Sequence, residues 1–224
     1  RPNRGAKTRP VAANIDQVFC VFAAEPFCDF LLIDQYLAIC ENRNITPHLI
    51  YNKSDLAYSE TIEKELETYL ALGYSLFRVS ATNNIGINEL ESALTDKISI
   101  FTGQSGVGKS SLSNALMPDK ALKTNTVSAI TKHGRHTTTA ATLYHLEKGG
   151  DLIDSPGVAI FGLAGISENQ LAHGYREFQP YIDLCKFNDC KHDKDMGCAI
   201  RTAVEDGEIA AIRYKRFLKL REKM

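Results

Sequence analysis

The segment from Gly103 to Ser110 has its glycine and lysine residues at the spacing of a phosphate-binding loop. It reads Gly-Gln-Ser-Gly-Val-Gly-Lys-Ser and matches the pattern G-x-x-x-x-G-K-S/T without a gap. In such a loop the glycines let backbone N–H groups surround phosphates, the lysine reaches the outer phosphates, and the last hydroxyl binds Mg²⁺. The sequence therefore predicts phosphate contacts from Gly103, Gln104, Ser105, Gly106, Val107, Gly108, Lys109, Ser110 and Ser111, with Ser110 as the magnesium ligand.

The tetrapeptide Asn52-Lys-Ser-Asp55 could distinguish guanine from adenine. A carboxylate at the edge of the base accepts hydrogen bonds from the ring N–H and the exocyclic amine of guanine, whereas adenine presents a mismatched edge. We assign that carboxylate to Asp55. Asn52 is expected to tether the loop and contact the base, and the stem of Lys53 to pack on the face of the ring. A backbone N–H that supports guanine is expected at Ser80-Ala81. Together these residues predict a guanine nucleotide as the ligand.

A third candidate segment, Asp154-Ser-Pro-Gly157, directly follows a short apolar run. An aspartate at the end of a strand is the usual carboxylate of a nucleotide-bound magnesium site. We expect Asp154 to hold Mg²⁺ through a water molecule and the Gly157 N–H to sense the γ-phosphate. A common Asp-x-Pro-Gly turn is the alternative, which the position of the segment after the phosphate loop disfavours.

The polar segment from residue 131 to 139 has no apolar periodicity, which is typical of a loop. Thr138 is our choice for a magnesium ligand that forms only when the γ-phosphate is present, with Thr137 as the alternative. The run of threonines could instead begin a strand, because these residues favour extended structure.

Hydrolysis would need a group that orients the attacking water. Ras-like GTPases place a glutamine directly after Asp-x-x-Gly, but here that position is Val158, which cannot hydrogen-bond a nucleophile. His136 is the best internal candidate, since an imidazole in this loop could reach the γ-phosphate. His133 and Arg135 remain rivals. The predicted catalytic residues are His136, Lys109 and Thr138.

Four potential metal ligands lie close together near the end of the chain: Cys185, Cys190, His192 and Cys198. Three thiolates and one imidazole match a closed, tetrahedral structural zinc site, in which no coordination position is left for a reacting water. The other cysteines lie scattered in apolar sequence, where a small buried hydrophobic side chain is expected; these are Cys20, Cys28 and Cys40.

Short apolar segments alternate with amphipathic ones through much of the chain. Strands are predicted at residues 14–23, 47–51, 75–79, 98–101 and 151–154, and helices at 29–41, 59–72 and 109–116. The alternation predicts an α/β fold with a doubly wound, mostly parallel sheet that helices cover on both faces. The motifs follow strands, and such sheets bind ligands at the carboxyl ends of their strands.

Composition limits the remaining function classes. The chain has 44% hydrophobic residues, 24% charged residues and a net charge of −1, so any RNA contact would need a local basic patch. One candidate is residues 208–224, predicted as an amphipathic helix with six Lys or Arg and two Glu, although a solvated helix face is the commoner meaning of such charge. No apolar stretch reaches the roughly 20 residues that span a bilayer, and no signal peptide is visible. We therefore expect a cytoplasmic protein that does not contact membranes.

These features together resemble the bacterial ribosome small subunit-dependent GTPase A family of circularly permuted GTPases. The matching segments are AANIDQ, NKSD, GQSGVGKSS, GRHTTT, DSPG and CKFNDCKH followed by GC. In conventional GTPases the phosphate loop precedes the guanine-reading segment, whereas here it follows. The resemblance implies a circularly permuted P-loop GTPase domain, at residues 13–165, and a small, mostly helical zinc-binding domain, at residues 166–224.

The resemblance also implies a function and partners. Members bind the 30S ribosomal subunit late in its maturation, and the subunit stimulates GTP hydrolysis. We expect GTP or GDP with Mg²⁺, one structural Zn²⁺, 16S rRNA contacts and a monomeric chain. The resemblance further implies an N-terminal OB-fold domain, which we expect to lie outside this sequence. Residues 1–12 are therefore interpreted as a linker from it, with a basic N-terminal arm as the alternative.

The sequence is also compatible with two other functions. One is a GTP-dependent RNA-binding switch with little catalytic turnover. The other is a metabolic P-loop kinase, which the guanine-reading segment Asn52 to Asp55 disfavours.

Overall fold

The computed structural model describes residues 14–56, 59–117, 142–154, 163 and 165–224. The strands in this part of the chain are β1 (Gln17–Phe22), β2 (Thr46–Tyr51), β3 (Ser75–Arg78), β4 (Ile98–Thr102), β5 (Thr142–His145) and β6 (Asp151–Asp154). The helices are α1 (Phe30–Asn42), α2 (Glu60–Ala71), α3 (Ile87–Leu94), α4 (Lys109–Leu116), α5 (Glu168–His173), α6 (Gln179–Ile182), α7 (Ala199–Glu205) and α8 (Ala211–Arg221).

The described strands form one six-stranded sheet in the order β3-β2-β1-β4-β6-β5. The pairs β1–β2, β1–β4, β2–β3 and β4–β6 are parallel, and β5 pairs antiparallel with β6. The prediction of a doubly wound, mostly parallel sheet is therefore confirmed. The chain builds outward from β1 to β3 and then crosses back to β4 on the other side of β1. Ligands bind such sheets at this reversal, outside the carboxyl ends of the strands.

The sheet is buried on both faces because its central strands are mainly apolar. All six residues of β1 are buried. Val18, Cys20 and Phe22 face a core shared with α1 and α2, while Phe19 and Val21 face a second core shared with α3 and α4. The three scattered cysteines are buried free thiols, as predicted.

Local sequence explains where the helices begin. The Asp29 carboxylate accepts hydrogen bonds from the Leu31 and Leu32 N–H groups at the start of α1, and Ser59 caps α2 in the same way. The predicted helix at 109–116 and the predicted strand at 151–154 have the observed bounds of α4 and β6, and the other predicted bounds differ by at most three residues. Helix α3, strand β5 and the individual helices α5, α6 and α7 were not predicted. No helix of the described residues is both long enough and apolar enough to cross a bilayer.

Helices α5 to α8 surround a third core that is rich in aromatic side chains. The rings of Tyr175 and Phe178 stack with centroids 4.9 Å apart, and Phe217 of α8 packs edge-on against both. This core also includes Ala38 of α1. The helical region therefore packs directly on the helix that follows β1.

The prediction of a basic face on α8 is partly wrong. Arg213 and Arg216 are 1% and 8% exposed, and both point into the interface with α1 and α2. They form ion pairs with Asp34, Glu65 and Glu177. Lysines on the opposite side of the helix remain exposed. A one-dimensional count of charge could not separate the arginines that stabilise the interface from the lysines that face solvent.

Candidate nucleotide site and metal centre

The predicted motif segments meet at one edge of the sheet. Strands β1, β2, β3 and β4 are parallel neighbours, so the loops that follow them emerge side by side. These loops contain the Asn52–Asp55 segment, Ser80-Ala81 and the phosphate loop. Residues far apart in sequence therefore converge on a single site.

The phosphate loop has a backbone that requires glycine. Gly103, Gly106 and Gly108 have φ angles of 142°, 83° and 94°. A Cβ at Gly103 would lie 2.0 Å from the Val21 carbonyl oxygen, and one at Gly108 would lie 2.2 Å from Asn52 Nδ2. The missing side chains thus let the loop pack against β1 and against the Asn52–Asp55 segment.

Asn52 connects three segments of the site. Its side chain is 1% exposed, its Nδ2 donates to the Val107 carbonyl at 2.9 Å, and its Oδ1 accepts from the Ala81 N–H at 3.3 Å. The Asn52 amide therefore links its own segment to the phosphate loop and to Ala81. Because both ends of the amide are used within the protein, Asn52 fixes the relative positions of the three loops.

Two lysines have their ammonium groups held by backbone carbonyls. Lys53 Nζ donates to the Glu25 and Gly106 carbonyls at 2.7 and 3.0 Å, which stretches its aliphatic stem along the loop. Lys109 Nζ donates to the Gly103 and Gln104 carbonyls at 2.8 and 2.7 Å. Both cations therefore lie against the phosphate loop. A bound polyphosphate could attract Lys109 by charge.

Several polar groups at this edge are open to a ligand. The side chains of Asp55, Ser105 and Ser110 are exposed, whereas Ser80 is buried. The backbones of Ser80 and Ile85 exchange two hydrogen bonds, each N–H donating to the other residue's carbonyl. The Ser80 Oγ also accepts from the Asn83 N–H at 3.3 Å. These hydrogen bonds order the turn that carries Ala81.

Gln104 makes a contact that sequence reasoning missed. Its Oε1 accepts from the Asp29 N–H at 3.0 Å, so the phosphate loop is hydrogen-bonded to the N-cap of α1. The two residues are 75 positions apart, and no local pattern signals the contact. Gln104 therefore has a structural partner as well as its predicted place in the loop.

Some predicted site residues lie outside the described part of the chain. They are Thr138, His136 and Gly157, together with Thr137, His133, Arg135 and Val158. The backbone of Asp154 ends β6, two strands from β1, but its side chain is not described. The predicted roles of these residues stay predictions.

The four predicted metal ligands come together. The Sγ atoms of Cys185, Cys190 and Cys198 and a ring nitrogen of His192 all lie within 4.8 Å of one another. His192 Nδ1 is 3.6 Å from the sulfurs of Cys185 and Cys198. Four soft or borderline donors at these separations could hold one metal ion, and their chemistry fits tetrahedral zinc.

The surroundings of the cluster orient its ligands. The Tyr214 hydroxyl of α8 donates to the His192 carbonyl at 2.7 Å, and Cys198 directly precedes α7. Burial is the main cause that raises the pKa of Cys190 to about 12, so the thiol would need a cation to ionise near neutral pH. The cluster connects the segment after α6, which carries Cys185, with the turn around His192 and with the start of α7 at Cys198.

Comparison with known proteins decides the family. A family model described as RsgA GTPase matches residues 1–164. The chain belongs to the RsgA GTPase family. The resemblance noted from the motifs is thus confirmed, and with it the circularly permuted order of those motifs.

Curated relatives match along the whole chain. It is 46% identical over 229 residues to the small ribosomal subunit biogenesis GTPase RsgA of Klebsiella pneumoniae (strain 342), covering 100% of this chain and 65% of that protein. A second relative of the same name, from Chromohalobacter salexigens, is 48% identical over 216 residues, covering 96% and 64%. The chain thus spans slightly less than two thirds of the length of these relatives.

Two solved structures share the fold closely. YjeQ from Thermotoga maritima superposes with a TM-score of 0.80 at 36% identity, covering 96% of this chain and 73% of that one. YloQ, described as a circularly permuted GTPase, gives a TM-score of 0.76 at 31% identity, covering 94% and 68%.

Proposed function

We propose that this chain binds and hydrolyses GTP, and that the reaction is coupled to late maturation of the 30S ribosomal subunit. The observation that carries the proposal is the convergence of Asn52, Ala81 and the phosphate loop at one sheet edge, joined by the Asn52 amide. The curated relatives are named for small-subunit biogenesis, which supports the choice of partner.

The geometry supports a division of labour in the site. Asp55 would read the guanine edge, the Lys53 stem would cover the ring, and Ala81 would supply a backbone N–H. The phosphate loop has three glycines at positive φ, a backbone conformation in which N–H groups can converge on a polyphosphate. Mg²⁺ would be held by Ser110, Thr138 and Asp154, and it would neutralise charge on the phosphates. Lys109 would stabilise the charge that develops on the γ-phosphate.

The remaining assignments concern the metal and the partner. We propose that the Cys185–Cys198 cluster holds one structural Zn²⁺, and that residues 13–165 and 166–224 are the GTPase and zinc-binding domains. The exposed lysines 215, 219 and 223 of the α8 region would contact 16S rRNA phosphates. A cytoplasmic monomer is the form we propose.

The coupling to the subunit can be measured directly. We expect purified 30S subunits to raise the GTPase rate of the chain by about 10-fold or more, because a partner would order the catalytic groups. His136→Ala should remove most of the stimulated rate and leave GTP affinity unchanged. Binding to the subunit without any stimulation would favour the alternative, a GTP-dependent RNA-binding switch. Absence of binding would contradict the assembly-factor proposal.

Substitution of the guanine-reading carboxylate tests the ligand. Asp55→Asn should weaken GTP binding about 100-fold, because a charge-assisted pair of hydrogen bonds is lost and an amide donor faces the donors of guanine. The same variant should gain affinity for xanthosine triphosphate, whose 2-oxo group accepts a hydrogen bond. Fluorescence titration with both nucleotides measures this change of nucleotide preference.

Glu60→Gln is a matched control, since this carboxylate is exposed and lies near the start of α2. Unchanged GTP affinity in Asp55→Asn would contradict the assignment.

A further inference from the structure

A groove of about 530 Å³ lies beside the metal cluster, between residues 181–184, the turn at Gly197 and helix α7. Its walls include Tyr181 and the buried side chain of Ala203, and Leu184 stands at its rim with 68% of its surface exposed. No role in nucleotide or metal binding accounts for this groove.

Two further exposed apolar side chains lie on the segments that follow Leu184 and precede Gly197, two residues that line the groove. Met196 is 76% exposed and Phe187 is 45% exposed. The Lys186 N–H donates to the Gly197 carbonyl at 3.0 Å, which brings the segments that carry Phe187 and Met196 side by side. Clustered exposed apolar side chains of this kind mark surfaces that bind another protein.

The same groove carries negative charge. Asp206 and Glu208 line it, and the lining contains no Lys, Arg or His. Asp206 is the C-cap of α7, whose last turn has no basic residue, so the carboxylate adds to the negative end of the helix. Among the described residues these two carboxylates take part in no salt bridge; the ion pair of α7 joins Arg201 to Glu205. A cationic partner would gain from this charge.

These observations favour a protein over a nucleic acid as the occupant. RNA would bring phosphates toward two carboxylates and would have no aliphatic group to place against Leu184 and Met196. The exposed lysines Lys215 and Lys219 line a different cleft, between α8 and the starts of α1 and α2. The acidic groove and the lysines therefore lie on separate surfaces.

We propose that this groove docks a lysine- and arginine-rich protein segment that inserts one apolar side chain beside Leu184. On the 30S subunit, the protein components rather than the rRNA can present that chemistry. In naming the subunit as the source, the inference rests on the proposed function.

The test compares binding of the chain to purified 30S subunits and to protein-free 16S rRNA. Leu184→Gln/Met196→Gln should weaken binding to the subunit about 10-fold or more and leave rRNA binding within about twofold. Asp206→Lys/Glu208→Lys should act in the same direction. Matched controls are Leu70→Gln/Leu143→Gln, exposed to 47% and 49%, and the exposed pair Glu67→Lys/Glu89→Lys. Both control pairs should bind like the original chain.

A photo-crosslinking amino acid in place of Met196 identifies the class of partner. The cross-linked product with 30S subunits should survive ribonuclease and be lost on protease digestion of the partner. Three results would each overturn the docking proposal while the proposed function stands. They are cross-linking to rRNA, an equal loss of affinity for the subunit and for protein-free rRNA, and unchanged subunit binding by both groove variants. Failure of the unsubstituted chain to bind subunits would instead remove the proposed function, and this inference with it.

Discussion

Cys198→Ala is expected to abolish metal binding and to unfold the helical region built by α5 to α8. The Cys198 thiol is 3% exposed, faces His192 Nδ1 at 3.6 Å, and directly precedes α7. A three-ligand site binds zinc far more weakly, and structural zinc contributes on the order of 10 kcal/mol in small domains. We therefore expect loss of one zinc per chain in elemental analysis, together with loss of helical circular dichroism.

Cys40→Ala is the matched control for this experiment. Cys40 is also a buried free cysteine, but it lies in α1 and has no part in the cluster. Its replacement should cost about 1 kcal/mol through a small cavity and leave the zinc content unchanged. A Cys198→Ala protein that retains one zinc and its full helical signal would contradict the proposed ligand set.

Arg213→Ala is expected to lower the free energy of unfolding by about 3–5 kcal/mol. The guanidinium is 1% exposed and lies between Tyr69 and Tyr175, 5.1 and 4.6 Å from their ring centroids. It donates to Asp34 of α1, and its Nε and Nη2 donate to Glu177 at 2.7 and 3.1 Å. Truncation would leave two carboxylates without their main buried partner.

Urea unfolding measures this loss, with Lys215→Ala as the control on the same helix. Lys215 is exposed, so its truncation should change stability by less than about 0.5 kcal/mol. If Arg213→Ala lowers the free energy of unfolding no more than Lys215→Ala does, the stability of the interface between α8 and α1 does not depend on this ion pair. Adding Asp34→Asn to Arg213→Ala should recover part of the loss, because one of the unpaired charges is then removed.

The Arg213→Ala variant should also respond to pH in a defined direction. Burial raises the pKa of Asp34 above its ordinary value, and Arg213 and Arg216 oppose that rise. Removal of one arginine therefore raises the folded-state pKa further. A group whose folded pKa is raised stabilises the fold below its unfolded pKa, near 4, and loses that contribution as pH rises through the folded pKa. The loss of unfolding free energy caused by Arg213→Ala should thus be smaller at pH 5 than at pH 7.5.

Short-range patterns were enough to predict much of the site. The phosphate loop and the Asn52–Asp55 segment are each a few consecutive positions, and the four metal ligands lie within 14 residues, so their chemistry depends on residue type and local spacing. The β-branched and aromatic runs predicted β1 to β4 and β6 because buried parallel strands are mostly apolar. Helix α3, strand β5 and the individual helices α5, α6 and α7 were missed.

Contacts between distant residues were decided by tertiary structure alone. Arg213 and Asp34 are 179 residues apart, and only the packing of α8 on α1 places them together. Nothing in the local pattern of α8 distinguishes Arg213 from the exposed Lys215. The neighbouring helices determine which face of α8 is buried, and therefore which of these side chains lies in the interface. The sequence by itself determined which residues are the candidates for binding phosphate, guanine and metal. The tertiary structure decided which charges are buried, how Asn52 joins three loops, and that an acidic, apolar groove lies beside the metal cluster, because each arises where separate elements pack.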